Sequence, residues 1–199
     1  EDGSFSGTSN QGKRFHAAVV AIAGGLGSFE PRKPLIDGID FYEDKGIKYF
    51  IKNPEKFRDK KVVIAGGGDS ALDWSIFLSN IASEVTLVHR RNEFRGALDS
   101  VDKVQELKNA GKIRLITPAE VIGINGAEHI ESVVLEENGA TRTIETDYFI
   151  PLFGLTPKLG PIGDWGLEIE KNAIKVNNAL DYHTNIPGIL YIGEVKNYQ

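Results

Sequence analysis

Three consecutive glycines near residue 66 have the spacing of a turn that binds phosphate. The segment Gly66-Gly67-Gly68-Asp69-Ser70-Ala71 matches the pattern G-x-G-x-x-A. In that pattern the first glycine permits a tight turn, the second lets a pyrophosphate approach the backbone, and the small last residue allows close helix–strand packing. Free N–H groups and the dipole at the start of a following helix would bind the phosphates. We predict that a dinucleotide contacts all six residues, whereas a bare connecting turn is the alternative interpretation.

A basic cluster after the glycines indicates which nucleotide is bound. An NAD site usually has an acidic residue roughly 20 positions past the glycines, bonded to the ribose 2′-OH. Here that region holds His89-Arg90-Arg91, with Arg95 close behind, and Glu93 is the first acidic residue. A guanidinium matches a phosphate in geometry and is always charged. The cluster therefore predicts a 2′-phosphate site for NADP(H) on the three arginines, assisted by His89, although a solvated basic loop end is the alternative.

A strand, a helix and a second strand are predicted around these two motifs. The apolar run at residues 62–65 predicts a buried parallel strand, and so does the run at 85–88. Between them, apolar spacing predicts a helix whose buried face consists of Ala71, Trp74, Phe77 with Leu78, and Ile81. Both motifs then lie in one βαβ unit, which is the context that the glycine fingerprint requires.

Capping residues predict where two helices begin. Asp69 is expected to be the N-cap of the helix that follows the glycines. A second helix is predicted to carry Val101, Val104 and Leu107 on its apolar face. Its expected N-cap is Asp99 or Ser100, and its expected end is Gly111.

The part of the chain after the second helix is predicted to be mostly strand. Three β-patterned runs are separated by the turn signals Asn125-Gly126 and Asn138-Gly139, which predicts an antiparallel meander. The meander lies between a third strand at residues 113–116 and a last strand at 148–153. Because open α/β sheets bind ligands at the carboxyl ends of their strands, Gly154 is also predicted to contact the nucleotide.

Both ends of the chain are predicted to be pieces of another domain. An early strand at residues 16–23 has no glycine fingerprint before it and no expected βαβ partner within the chain. Near the other end, residues 186–194 predict a strand that ends in Gly193-Glu194.

Composition limits the classes of function. A net charge of −5 argues against nucleic acid as a general partner, and no apolar run has the length of a membrane span. The chain contains no cysteine, so a disulfide framework, a cysteine-ligated metal and a thiol active site are excluded for it. The expected compartment is the cytoplasm.

Two segments resemble a known family. Residues 66–74 (GGGDSALDW) and 88–95 (VHRRNEFR) resemble the NADP(H) domain of thioredoxin-reductase-like flavoproteins. Residues 25–33 and 160–167 are similar to the ferredoxin–NADP⁺ reductases of that family. The resemblance implies an α/β fold, with a Rossmann-like three-layer NADP(H)-binding domain at residues 39–155 that combines a parallel sheet with an antiparallel β-meander. Residues 1–38 and 156–199 would be partial FAD-domain segments at the two ends.

The resemblance also implies the chemistry of the intact protein. Hydride would pass between NADP(H) and FAD, and single electrons between the flavin and ferredoxin or flavodoxin, with no acid–base residue required. A homodimer is the expected assembly. Gly193 and Glu194 stand where the family holds the flavin's ribityl chain with Gly-Asp, so the acidic side chain is one methylene longer here. The family's first FAD segment is missing from this sequence, and we therefore expect the chain alone to carry no FAD.

The missing thiols separate the subgroups of the family. Thioredoxin reductases carry a Cys-x-x-Cys pair where this chain has Tyr49-Phe50-Ile51-Lys52. Without a thiol, dithiol exchange is chemically unavailable, whereas transfer of single electrons needs none. A flavin reductase with a non-ferredoxin acceptor and a non-enzymatic NADP(H)-binding module are the alternatives.

Overall fold

The chain divides into two units in a computed structural model that describes residues 4–23, 28–170, 173–177 and 181–192. One unit consists of residues 1–30 and 155–199, and the other of residues 31–154. The predicted domain bound at 155/156 is one residue from the division at 154/155, whereas the bound at 38/39 is eight residues beyond the division at 30/31. The assignment of the units to FAD and NADP(H) stays a prediction.

The elements are labelled in chain order. The strands are β1 (Phe5–Thr8), β2 (Arg14–Ala17), β3 (Val20–Ile22), β4 (Ser28–Pro31), β5 (Lys61–Ala65), β6 (Glu84–Val88), β7 (Arg114–Ile116), β8 (Glu120–Gly126), β9 (Ile130–Glu137), β10 (Ala140–Glu145), β11 (Tyr148–Pro151), β12 (Leu155–Lys158), β13 (Ile169–Glu170), β14 (Ala173–Ile174) and β15 (Ile189–Tyr191). The helices are α1 (Asp69–Leu78) and α2 (Leu98–Asn109), and 3₁₀ turns span Ile39–Tyr42, Pro54–Phe57 and Gly160–Asp164.

A parallel sheet of order β11-β5-β6-β7 is the centre of unit 31–154. Its strands are apolar on both faces because both faces are covered. Val62 and Ile64 of β5 pack against α1 and α2, whereas Val63 and Ala65 face the cluster that contains the meander residues Val133 and Leu135. Helices, parallel sheet and meander form three layers, so the predicted Rossmann-like α/β architecture is confirmed.

The meander is the antiparallel sheet β8-β9-β10. Asn138-Gly139 forms the predicted turn, with positive φ angles of 53° and 80° that suit asparagine and glycine. The second turn prediction is wrong: Asn125 and Gly126 belong to β8, beside an irregularity in its register with β9. The chain reverses after them instead.

The buried face of α1 matches the predicted one except at Phe77. Trp74 and Ile81 are partly buried against the same cluster as Ala71. Leu72, Ser75 and Leu78 are fully buried beside Ala71, whereas Phe77 is 49% exposed. Phe77 packs edge-on against Trp74, with ring centroids 5.7 Å apart. Ser75 tolerates burial because its hydroxyl donates to Ala71 O at 2.7 Å. The prediction is therefore wrong for Phe77, and it missed the buried Leu72 and Ser75.

Neither predicted cap of α2 acts as one. The N-cap is Ala97, whose side chain accepts no hydrogen bond. Ser100 Oγ instead donates to Asp73 Oδ1 of α1 at 2.9 Å, so it ties the two helices together. The predicted apolar face is confirmed by Val104, which is fully buried, and Gly111 ends the helix with a φ of 71°.

The other unit corrects the prediction for the early strand. The run at residues 16–23 is not one strand, because β2 pairs with β1 and β3 pairs with β15. The pair β3–β15 is parallel, so the early strand does have a partner, near the far end of the chain. Small two-stranded sheets β4–β12 and β13–β14 lie in the same unit, whose core includes Ile22, Leu167, Ile174, Ile189 and Tyr191. Among the described residues, no helix has the length and apolar content needed to cross a bilayer.

Candidate nucleotide-binding site

The glycine turn lies at the carboxyl end of β5, in the middle of the parallel sheet. Gly66 N donates to Val88 O at 3.0 Å, which joins the turn to the end of β6. A side chain at Gly66 would bring its Cβ to 2.7 Å from Leu152 O and 2.9 Å from Ala71 Cβ. A Cβ at Gly68 would meet no protein atom within 4 Å, so the backbone there is open to a ligand. Gly66 thus lets the turn pack closely on Leu152 and Ala71, and the open backbone at Gly68 is compatible with the predicted approach of a pyrophosphate, which stays a prediction.

The start of α1 presents backbone donors beside this opening. Gly68 is the N-cap, and its carbonyl accepts from Ala71 N at 3.0 Å and Leu72 N at 3.2 Å. Within the described residues, the N–H groups of Gly67, Gly68, Asp69 and Ser70 have no hydrogen-bond partner. Such donors, aligned with the helix dipole, can bind the oxygens of a phosphate.

The basic loop that follows β6 lies directly on the glycine turn. Arg95 N donates to Gly67 O at 2.7 Å. A side chain at Gly67 would overlap the imidazole of His89, so that ring packs on the bare glycine backbone. His89 is itself held by its backbone, which bonds to Ile116 O at 3.2 Å and to Ala119 N at 2.9 Å. The two predicted motifs therefore form one surface.

His89 is packed and kept neutral by its surroundings. Its ring stacks on Phe94 with centroids 5.2 Å apart, and Nε2 lies 3.1 Å from Glu93 O. Partial burial lowers the pKa of His89, and the positive charges of the neighbouring arginines lower it further, although the bond to Glu93 O opposes this. A neutral ring near pH 7 donates Nε2–H to that carbonyl. This geometry favours a positioning role for His89 over direct contact with phosphate.

Three guanidinium groups surround the loop. Arg90, Arg91 and Arg95 are exposed, and within the described residues none of them forms an ion pair. The positive charges of all three lower the pKa of His89. Unpaired guanidinium groups can bind a phosphate dianion through charge-assisted hydrogen bonds.

Asp69 has a different partner from the predicted one. It is the first residue of α1 rather than its N-cap, and its side chain accepts from no N–H of that helix. Its Oδ1 instead accepts from Ala97 N at 2.7 Å, at the end of the basic loop. A bond between residues 28 positions apart gives no local signal in the sequence, although Gly96 beside Ala97 could have suggested a close approach.

The segment that follows β11 also borders this surface. Leu152 N donates to Ala65 O at 2.8 Å, so Leu152, which was not predicted, is the residue of that segment that packs against the turn. Gly154 follows with a φ of 91°, and its carbonyl accepts from Arg32 N at 3.0 Å. Gly193 and Glu194 lie outside the described residues. No group of metal-ligating side chains occurs in the described part of the chain.

Comparison with known proteins gives consistent matches along the whole chain. The family model described as pyridine nucleotide-disulphide oxidoreductase matches residues 2–199. The protein named ferredoxin–NADP reductase of Flavobacterium johnsoniae is 84% identical over 198 residues, which cover 100% of this chain and 57% of that protein. Its counterpart in Flavobacterium psychrophilum is 74% identical, with the same two coverages. The chain thus spans little more than half the length of these curated relatives.

Solved structures of similar fold include thioredoxin reductases. That of Lactococcus lactis is 27% identical, with a TM-score of 0.75 over 94% of this chain and 60% of that one. The thioredoxin reductase of T. acidophilum is 24% identical, with a TM-score of 0.81 over 100% of this chain and 64% of that one, and this likeness shows the fold alone.

Proposed function

The chain belongs to the pyridine nucleotide-disulphide oxidoreductase family, and on that premise we propose that it is the NADP(H)-binding part of a ferredoxin–NADP⁺ reductase. The relatives that carry this name are 84% and 74% identical over the chain. Because the chain covers only 57% of their length, the activity of the whole protein is part of the proposal.

The residues described above fit both charged groups of NADP(H), the pyrophosphate and the 2′-phosphate. The unpaired N–H groups of residues 67–70 would hold the pyrophosphate, and the open backbone at Gly68 would let it approach. Arg90, Arg91 and Arg95 would hold the 2′-phosphate, while His89 keeps their loop on the turn. NADPH, when bound, would supply a hydride, and these residues would bind and orient the nucleotide.

One observation supports NADP(H) over NAD(H) most directly. Three unpaired guanidinium groups and the unpaired helix-start donors lie on one continuous surface, joined by the bond from Arg95 N to Gly67 O. Such a concentration of uncompensated positive charge repels itself unless an anion is bound, because like charges disfavour close placement. A dinucleotide that carries both a pyrophosphate and a 2′-phosphate can bind the helix-start donors and the guanidinium groups at the same time.

The proposed redox partner is a carrier of single electrons, ferredoxin or flavodoxin, reached through FAD. The name of the relatives supports ferredoxin, and the lack of cysteine at residues 49–52 argues against dithiol exchange. FAD, a homodimeric assembly and a cytoplasmic location complete this proposal.

The proposed function is tested by measuring which nucleotide and which electron acceptor the protein prefers. We expect the intact protein that contains this chain, loaded with FAD, to oxidise NADPH far faster than NADH when ferredoxin is the acceptor. Thioredoxin and a model disulfide should give no activity above the rate without acceptor. Equal rates with both nucleotides would contradict the NADP(H) assignment, and thioredoxin-dependent turnover would contradict the assigned acceptor. NADPH binding without any turnover would favour a binding module instead.

A further inference from the structure

An acidic side chain stands beside the predicted pyrophosphate site and contacts another part of the chain. Asp69 Oδ1 accepts the N–H of Ala97 at 2.7 Å, and no described cation forms an ion pair with this carboxylate. The charge is favourable at the start of a helix but would repel a phosphate bound there. Binding of the pyrophosphate alone would therefore favour a neutral residue, so this carboxylate needs another explanation.

The hydrogen bond between Asp69 and Ala97 holds the second end of the basic loop, residues 89–97, which is called the arginine loop from here on. At its first end, the His89 ring packs on Gly67, and in the middle Arg95 N donates to Gly67 O at 2.7 Å. Asp69 then holds Ala97, where α2 begins. The fit is close, since a Cβ at Gly96 would come 2.5 Å from Leu72 Cδ1 and 3.1 Å from Asp69 Oδ1. The backbone of the loop is thus fixed to the turn and to α1, while its guanidinium groups remain exposed.

We propose that Asp69 is a positioning residue for nucleotide selection, whose bond to Ala97 N holds the arginine loop where its guanidinium groups reach the 2′-phosphate. The inference rests on the proposed NADP(H) function and deepens it. The carboxylate of Asp69 contacts the loop, whereas only the backbone N–H of this residue is assigned to the pyrophosphate, so the effect of the side chain falls on the ratio of NADPH affinity to NADH affinity. Because both nucleotides carry the same pyrophosphate, a change of charge at the helix start cancels in that ratio.

Two substitutions break the bond from its two sides. Asp69→Ala removes the acceptor, and Ala97→Pro removes the donor at a residue whose φ of −55° proline adopts without strain. A charge-assisted hydrogen bond of this kind corresponds to about a tenfold effect on affinity, or about 1.4 kcal/mol. We expect each variant to lower the NADPH/NADH affinity ratio about tenfold. The double variant should lower it no further, because both changes remove the same bond.

Two further variants serve as controls. Asp69→Asn keeps an acceptor oxygen and should retain most of the ratio. Asp73→Asn alters the neighbouring carboxylate of the same helix, which accepts from Ser100 of α2 at 2.9 Å and contacts no part of the arginine loop. Asp73→Asn should leave the NADPH/NADH affinity ratio within about twofold of the wild type, because substitutions at exposed surface positions usually have small energetic effects.

The measurement is titration of the purified protein with NADPH and with NADH, alongside thermal unfolding to confirm that each variant is folded. If Asp69→Ala does not fold, Ala97→Pro decides the question. An unchanged ratio in the folded variants, or additive losses in the double variant, would overturn the positioning role while leaving the proposed function intact. A wild type that binds neither nucleotide would overturn the proposed function and this inference with it.

Discussion

At the scale of single residues, the candidate site brings together three arginines that form no ion pair within the described part of the chain. Most charged pairs in the described residues are local, such as Lys103 with Glu106 at 2.7 Å and Arg58 with Glu55 at 2.7 Å. Arg90, Arg91 and Arg95 have no such partner among the described residues. Exposed pairs contribute little to stability, so a cluster of unpaired arginines is better explained by an external anion than by folding.

The first prediction concerns Arg90 and Arg91. Replacing either with alanine should weaken NADPH binding roughly 10- to 100-fold, because a hydrogen bond to a charged group contributes about 1.5–3 kcal/mol. NADH binding should hardly change, since NADH lacks the 2′-phosphate. Arg58→Ala is the matched control, because Arg58 is an exposed arginine of the same unit that is paired with Glu55. Calorimetric titration measures all three, and parallel loss of both nucleotides would contradict the assignment.

The second prediction concerns the pH dependence of stability at His89. Its folded-state pKa lies below its ordinary value of 6.5, mainly because the ring is partly buried. The contribution of the neutral ring is therefore complete above pH 6.5 and is lost as pH falls through the folded-state pKa, because the unfolded chain takes up the proton first. The difference in free energy of unfolding between wild type and His89→Asn, from urea titrations, should shrink between pH 7.5 and pH 5. A difference that is constant or grows would contradict this.

At the scale of elements, α1 both presents backbone donors at the candidate site and packs against the parallel sheet. Its first turn supplies backbone donors at the glycine turn, and its buried face, which includes Leu72 and Leu78, packs on the parallel sheet. Trp74 is partly buried against the same cluster, whereas Phe77 is exposed and packs edge-on against the ring of Trp74. The position of the donors therefore depends on packing one turn further along the helix.

The third prediction compares the two faces of α1. Leu72→Ala should lower the free energy of unfolding by about 2–5 kcal/mol, because Leu72 is fully buried and its removal leaves a cavity. Phe77→Ala, in the same helix, should cost about 1 kcal/mol or less, since Phe77 is 49% exposed. Urea denaturation measures both. A larger cost for Phe77→Ala would restore the face predicted from apolar spacing.

At the scale of the whole molecule, each unit has its own core. In unit 31–154, one hydrophobic cluster lies on each face of the parallel sheet. The other unit has a smaller cluster, assembled from both ends of the chain. All the described residues of the candidate site belong to unit 31–154.

The fourth prediction follows from that division. Residues 31–154 produced alone should unfold cooperatively and bind NADPH with an affinity within a few-fold of that of the longer protein, because both clusters and the site lie inside the segment. The same segment with Arg90→Ala and Arg91→Ala should fold but bind NADPH weakly. Circular dichroism with nucleotide titration tests this. A segment that is unfolded, or folded without NADPH binding, would contradict the assignment of the domain.

The sequence alone determined those features that depend on neighbouring residues. The run of β-branched residues before Gly66, the glycines themselves and the Asn138-Gly139 turn each follow from local backbone preferences. The order strand, glycine turn, helix, strand and basic cluster is likewise contained in a short stretch of chain.

Only the tertiary structure decided which distant residues meet. Ser75 is buried on α1 although it is polar, and Phe77 is exposed although it is apolar. The side chain of Asp69 accepts a hydrogen bond from Ala97 N instead of from its own helix, and β3 pairs with β15. Apolar spacing identifies a stripe on a helix, but the exact edge of that stripe depends on the sheet that covers it. Likewise, an aspartate has several possible donors, and the choice among them depends on where a loop 28 residues away is held. Such choices are made by packing between segments, which local preference does not encode.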